Sequence, residues 1–411
     1  MWQEAAKFRR QSAIVLRMSF GNSKLKYLQE LIVENDPASR SLLEIDNRIK
    51  PLACTTAVPP VRGCPPVFYS AKPAALHTCP AHVDFLLSAK LRCLAVPKPR
   101  RAFRLPHPQP LDALSFARFT GIPTFMRLPH IAQPEELEVA IIGVPFDGGT
   151  TYRPGPRFGP RHVRVQSAII RPWNPVLHVN PFAKHRVADF GDLPVNPLSI
   201  EDSFLRIEQG IAPLLNAGVR CVCVGGDHSI SLPILRAVAK RHGPVSLIQF
   251  DAHNDLWDEY FGSKYSHGTP FRRAFEEGLL RDGGVLQVGL RGQVYGEDDF
   301  DFARAHKVRM VTAEEFHKKG LAIVQRHLRA FRGKPVYVTL DIDVVDPAYA
   351  PGTGTPQVGG LTSTQILELV RALRGLDIIG CDLVEVSPPY DTGEITSLLA
   401  ANLLYELLCV L

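Results

Sequence analysis

The stretch Val245-Ser246-Leu247-Ile248-Gln249-Phe250-Asp251-Ala252-His253-Asn254-Asp255 decides how the rest of the chain is read. Its first six residues are largely apolar and suited to a strand. Its last five carry two carboxylates and an imidazole. A strand that is apolar throughout is one buried on both faces, as in a parallel sheet covered by helices. Polar side chains just past its end lie where open α/β sheets bind their ligands. Two other runs repeat the pattern. Val336–Leu340 leads into Asp341-Ile342-Asp343, and Arg220–Val224 leads into Gly225-Gly226-Asp227-His228-Ser229.

Working outward, strand-type runs also occur at Val139–Val144, Arg186–Asp189, Val285–Gly289 and Ile378–Val386. Helical patterns lie between them at Ile200–Leu215, Leu232–Arg241, Pro270–Leu280, Glu314–Phe331 and Ser363–Leu373, the last with Ser363 or Thr364 as N-cap. The alternation predicts an α/β fold, a three-layer α-β-α sandwich with a central, mostly parallel sheet. No uninterrupted apolar run reaches the roughly 18 residues of a membrane span. Ser397–Leu411 comes nearest, but Asn402 and Glu406 interrupt it, and leucines at 399, 403, 407 and 411 predict an amphipathic helix on a core.

Charge divides the chain. Residues 1–107 hold 17 Lys+Arg against 7 Asp+Glu, whereas the remaining residues hold 30 against 34. The net +6 therefore belongs to a basic N-terminal extension, rich in Pro and Arg over residues 51–110 and poor in packing residues. The catalytic domain is expected over 108–411. Its mildly acidic balance argues against nucleic acid as a partner. A short helix fits the extension at Leu25–Val33. Cys54, Cys64, Cys79 and Cys93 form no CxxC pair there, while Cys221, Cys223, Cys381 and Cys409 read as buried core residues. Met1–Arg17 lacks the apolar segment of a secretory signal. The expected location is cytoplasmic, with the mitochondrial matrix as the alternative if the extension is a targeting segment.

The chemistry lies in the ligand count. In extended chain, Asp251, His253 and Asp255 share one face, and Asp341 and Asp343 repeat that spacing. With His228 there are four carboxylates and two imidazoles. One tetrahedral zinc needs three or four ligands; six suit two metal ions with shared carboxylates. Oxygen and imidazole ligands without thiolate favour manganese. Two such ions lower the pKa of a shared water, giving a nucleophile for a trigonal carbon. Glu385, in Leu383-Val384-Glu385-Val386-Ser387-Pro388-Pro389, can take a planar cation through paired hydrogen bonds. His267, in Ser266-His267-Gly268-Thr269-Pro270, is a candidate proton shuttle.

These stretches resemble the ureohydrolase (arginase–agmatinase) family: GGDHS at 225–229, DAHND at 251–255, HGTPFRR at 267–273, DIDVVDP at 341–347 and EVSPP at 385–389, in the family's order. The resemblance implies one manganese on His228, Asp251, Asp255 and Asp341 and a second on Asp251, His253, Asp341 and Asp343. It also implies that Asp255 orients the hydroxide, Glu385 binds guanidinium and His267 moves the proton. It further implies an arginase-like fold and a trimer or hexamer. The segment 256–265 lacks the Ser-Gly-Asn run of arginases, which turns the expectation from arginine to agmatine, hydrolysed to putrescine and urea. The alternative is a guanidino acid such as 4-guanidinobutanoate or 3-guanidinopropanoate. Asp258 or Tyr260 would suit an amine tail, and donors from the loop Thr150–Arg157 a carboxylate tail. Two further readings stay open: a one-zinc deacetylase-like hydrolase and a catalytically silent scaffold relative.

Overall fold

A computed structural model describes residues 107–411. The readings for the N-terminal extension, including the Leu25–Val33 helix and its four cysteines, lie outside the described residues. Eight strands form one sheet: β1 (Val139–Val144), β2 (Val187–Asp192), β3 (Arg220–Gly225), β4 (Val245–Phe250), β5 (Leu280–Leu290), β6 (Arg309–Thr312), β7 (Pro335–Asp341) and β8 (Asp377–Val384). Their order is β2-β1-β3-β8-β7-β4-β5-β6, and every pairing is parallel.

The principal helices are α1 (Gly159–Gln166), α2 (Pro181–Lys184), α3 (Ile200–Asn216), α4 (Ser231–His242), α5 (Pro270–Glu276), α6 (Asp301–Ala305), α7 (Ala313–Lys319), α8 (Leu321–Leu328), α9 (Ser363–Ala372) and α10 (Ile395–Val410). They cover the two sheet faces as separate apolar layers. Along β1, Ala140, Ile142 and Val144 join the layer containing α3 and α4, while Val139 and Ile141 join the layer containing α9 and α10. On β4, Val245 and Leu247 face one way and Ile248 and Phe250 the other. The continuous apolar runs thus reflect strands buried on both sides, as a parallel sheet requires.

Several boundaries differ from the sequence reading. The stretch 314–331 is not one helix: Gly320, at φ +66°, separates α7 from α8, a conformation glycine adopts without steric cost. The helix from Pro270 stops at Glu276, and β5 begins at Leu280. β6 was not read from the sequence; it is a short edge strand with half-buried Arg309 and Met310, so its pattern carries little signal. The cap of α9 is Thr362, not Ser363 or Thr364; its hydroxyl accepts from Gln365 N–H, and the Gln365 side chain accepts from Thr362 N–H. Helix α10 is not amphipathic. It is buried on nearly every side, and Glu406 is held inside the fold by Arg371 and Asn174.

The order places the chemistry. The strands that end in the three ligand runs and in Glu385 are β3, β8, β7 and β4, four consecutive neighbours at the centre of the sheet. Parallel pairing puts all four carboxyl ends on one edge.

Candidate metal centre

The expected residues converge. His228 Nδ1 lies 3.1 Å from Asp251 Oδ2, 2.9 Å from Asp255 Oδ2 and 3.2 Å from Asp341 Oδ2. His253 Nδ1 lies 3.0 Å from Asp343 Oδ2 and 3.6 Å from Asp251 Oδ1. Two ligand groups result, His228–Asp251–Asp255 and Asp251–His253–Asp343, with Asp251 common to both. Asp341 stands against the first group. All are buried except His253, which is partly exposed.

The route to convergence is not the extended chain that the spacing suggested. Beyond Phe250 the backbone bends, and Asp255 sits at φ +51°, in the left-handed region. Asp343 lies inside a single 3-10 turn, Ile342–Val344, that Asp341 caps by accepting from Asp343 N–H at 2.8 Å. Glu385 is also left-handed, at φ +64°. Non-glycine residues in this region cost free energy and persist where their surroundings fix them. For Glu385, the fixing contact is its N–H donating to Gly226 O at 2.9 Å. Gly226 in turn must be glycine, because a Cβ there would fall 1.9 Å from Phe146 O.

The protonation pattern tests whether this cluster suits a cation. His228 Nε2 lies 2.8 Å from Thr339 Oγ1. That hydroxyl donates its own hydrogen to Asp382, so it can only accept from Nε2–H. Asp382 is kept as an acceptor by Tyr337 Oη and Ser231 Oγ, both donating at 2.8 Å. The proton of a neutral His228 is therefore on Nε2, and its Nδ1 lone pair faces three carboxylates. That buried nitrogen has no hydrogen-bond partner. A lone pair aimed at acidic oxygens repels them unless a cation lies between.

The carboxylates report the same tension. Burial, together with the charges of Asp343 and Asp251, pushes Asp341 well above the usual carboxylate range. Burial and Asp251 raise Asp255 to about 6. Burial also opposes the charge of Asp251, but the His228 and His253 imidazoles beside it outweigh this and lower its pKa. His228 and His253 are both pushed well up against the pull of burial by the surrounding carboxylates. Without metal, protons must supply the compensating charge.

Glu385 and His267 form the second half of the site. Glu385 Oε1 accepts from His228 N–H at 3.0 Å and lies 3.0 Å from His267 Nδ1. Its other oxygen, Oε2, is buried with no partner. Gly354 lies beside it; a Cβ at 354 would stand 3.2 Å from Oε2. The free oxygen is therefore available to a donor that is not part of the chain. A cavity of about 320 Å³ opens over His253, Asp255, His267 and Asp341, with a mouth formed by Trp257, Tyr260, Tyr295, Gln293 and Gln357. Of the charged tail candidates, Asp258 accepts from Arg273 and Arg157 pairs with Asp147, whereas Arg153 stands over the rings of Tyr152 and Tyr390.

Sequence reading missed a buried polar row one step behind the ligands. Gln287, Gln249, Thr339 and Asp382 are register partners across β5, β4, β7 and β8. Gln249 donates to Asp251 at 2.7 Å, and Gln287 donates to Gln249 at 2.8 Å. Each of Gln249 and Thr339 precedes a carboxylate by two residues in an otherwise apolar run, which was the available signal.

A parallel sheet whose central strand tips supply overlapping carboxylate–imidazole groups belongs to the class of dinuclear metal hydrolase folds. The Arginase family model matches residues 137–409. The chain is 52% identical over 307 residues to a guanidinopropionase of Pseudomonas aeruginosa, covering 74% of this chain and 96% of that one. It is 46% identical over 327 residues to a mitochondrial agmatinase of Gallus gallus, covering 79% and 96%. Among solved structures, proclavaminate amidino hydrolase from Streptomyces clavuligerus superposes with a TM-score of 0.68 at 44% identity, covering 71% of this chain and 97% of that one. The chain belongs to the arginase family.

Proposed function

We propose that the chain hydrolyses a linear guanidine to urea and an amine, with two manganese ions held by His228, Asp251, His253, Asp255, Asp341 and Asp343. The observation that carries this reading is the buried Nδ1 of His228, its lone pair turned toward Asp251, Asp255 and Asp341. When bound, the ions would supply activated water at neutral pH and stabilise developing negative charge. Hard oxygen ligands with two imidazoles and no thiolate favour manganese.

The remaining work falls to the chain's own groups. Glu385 Oε2 receives the guanidinium N–H donors, a charge-assisted contact made in a buried setting. Asp255 accepts a hydrogen bond from the attacking water and so orients it. His267, fixed through Nδ1 to Glu385, gives a proton to the leaving nitrogen.

The mouth offers aromatic faces to an ammonium tail, or O–H and N–H donors to a carboxylate tail. The ion pair of half-exposed Asp258 with Arg273 competes with its use for an ammonium, which keeps a short guanidino acid beside agmatine. A homo-oligomer belongs to the same proposal. So does cytoplasmic residence, with the mitochondrial matrix as the alternative; the Gallus gallus relative is named as mitochondrial. The test is urea release by the manganese-loaded protein from agmatine, 4-guanidinobutanoate, 3-guanidinopropanoate and arginine. Release from at least one of the first three is expected. No urea from any of them overturns the reading.

A further inference from the structure

His267 is gripped at both ring nitrogens, and only one grip is accounted for by Glu385. On the other side, Nε2 lies 2.7 Å from Thr151 Oγ1 and 3.2 Å from Thr151 N. These two contacts suit different states of the ring. The backbone N–H can bond only an Nε2 that carries a lone pair. The hydroxyl serves both states, accepting from Nε2–H or donating to the lone pair. Thr151 also lines the pocket over Asp255, His267 and Asp341.

The segment that carries Thr151 is itself anchored. Asp227 Oδ2 accepts from Gly149 N–H at 2.6 Å, and Gly149 O accepts from His267 N–H at 2.9 Å. At its far end, Asp147 Oδ2 accepts from Gly155 N–H at 2.8 Å. Asp227 lies in the same run as His228, so this loop is referenced to the metal ligands rather than to solvent. A Cβ on Gly149 would meet Ser229 Oγ at 2.9 Å, which shows how closely the loop seats on that run.

We infer that Thr151 is a positioning residue for His267, whose hydroxyl keeps the imidazole aimed through the whole proton transfer. The inference rests on the ureohydrolase reading above. Before transfer, the imidazolium Nε2–H is shared between Thr151 Oγ1 and the substrate nitrogen. As the C–N bond breaks, its electron pair stays on that nitrogen and the proton moves to it from Nε2. The ring is left neutral, and the Thr151 hydroxyl turns from accepting to donating. Thr151 N–H adds a second donor to the same lone pair. Nδ1 remains on Glu385 throughout.

Three substitutions test it with the full chain loaded with manganese, using whichever guanidine the wild type hydrolyses fastest. Thr151→Val keeps the shape and removes the hydroxyl; Thr151→Ser keeps the hydroxyl and loses the methyl. Val should lower kcat by roughly tenfold or more, and Ser should restore most of it. KM should move less than about threefold, because Glu385 is untouched. Manganese content should stay at the wild-type value in every variant. Thr151→Ala should behave as Val does, and it decides the matter if the Val variant fails to fold. A role in packing alone gives the opposite order, with Val active and Ser impaired, and that order overturns the inference. So does a Val variant with wild-type kcat. A wild type inactive on every guanidine overturns the functional reading itself and this inference with it.

Discussion

Arg291 Nη2 donates to the backbone carbonyl of Asp343 at 2.6 Å. The same guanidinium reaches Val344 O, Val345 O, Gly289 O, Gln357 O and Val358 O. It has no carboxylate within ion-pair distance among the described residues. One side chain thereby ties together the end of β5, the turn bearing Asp343 and the loop that brings Gln357 to the pocket mouth. Arg291→Met should leave these carbonyls without their donor. The ion on the Asp343 side should bind about 10–100-fold more weakly, while the His228 side keeps its own. Metal analysis after gel filtration should fall from two ions toward one per chain. Two ions held at wild-type affinity would show that the turn needs no such tie.

Thr339 acts on the other ion. Its oxygen fixes the proton of His228 on Nε2 and frees Nδ1 as a ligand. Thr339→Val keeps the volume but removes both hydrogen bonds, leaving Nε2–H and the Oδ1 of Asp382 unpaired in a fully buried layer, while Asp382 Oδ2 keeps Tyr337 and Ser231. Metal affinity should drop by about one to two orders of magnitude, with a stability loss of about 1–3 kcal/mol in the metal-free chain. Calorimetric titration with manganese and chemical unfolding in chelator measure the two effects separately.

His267 supplies a pH test that needs no metal. Burial works against its charged form, but the bond to Glu385, with the charges of Glu385, Asp227 and Asp255, pushes it up to about 9. Its value in the unfolded chain is near the ordinary one, about 6.5. A folded-state pKa above the unfolded one stabilises the fold fully below the unfolded value, and the gain is lost as pH rises through the folded value. The stability difference between wild type and His267→Asn should therefore be largest at about pH 6 and shrink toward pH 9 and above. Unfolding curves for both in chelator give this difference directly. A gap that widens with pH would contradict the charged pairing.

Most of the candidate site could be read from the chain because its possible ligands stand at the ends of apolar runs. Buried strands announce themselves by composition, and a carboxylate just past one has few structural reasons to be there. Asp251, Asp341, His228 and Glu385 were legible on those grounds. What stayed hidden depends on pairing across the sheet. Nothing local says that Gln249 lies beside Thr339, or Thr339 beside Asp382, because that register is set by strand order. Thr151 and Arg291 were hidden for a related reason: each acts by bonding backbone or ring atoms of segments remote in sequence. The left-handed turns at Asp255 and Glu385 also escaped notice, since Asp signals positive φ only weakly and Glu not at all.

Helix α10 tests how its one buried acid is tolerated. Glu406 accepts from Arg371 at 2.6 Å and from Asn174 Nδ2 at 3.0 Å. Its side chain is 6% exposed, against 25% for Arg371. The fold therefore spends a carboxylate inside an apolar helix to join three elements: α10, α9 and the loop before α2. Glu406→Ala removes the shared acceptor. Arg371 can turn toward water, which limits its share of the loss, whereas Asn174 is 2% exposed and cannot. The expected destabilisation is about 2 kcal/mol, less than for a fully buried pair. Since Glu406 lies toward the helix end where Leu411 accepts from Arg220 at the start of β3, opposite the ligand edge, kcat per folded molecule should remain at the wild-type value. Glu406→Gln keeps an acceptor for Asn174 and should recover part of the loss, which thermal unfolding of the two variants side by side would resolve. Equal melting temperatures for Ala and Gln would place the stabilisation in the charge pair with Arg371 and not in the amide.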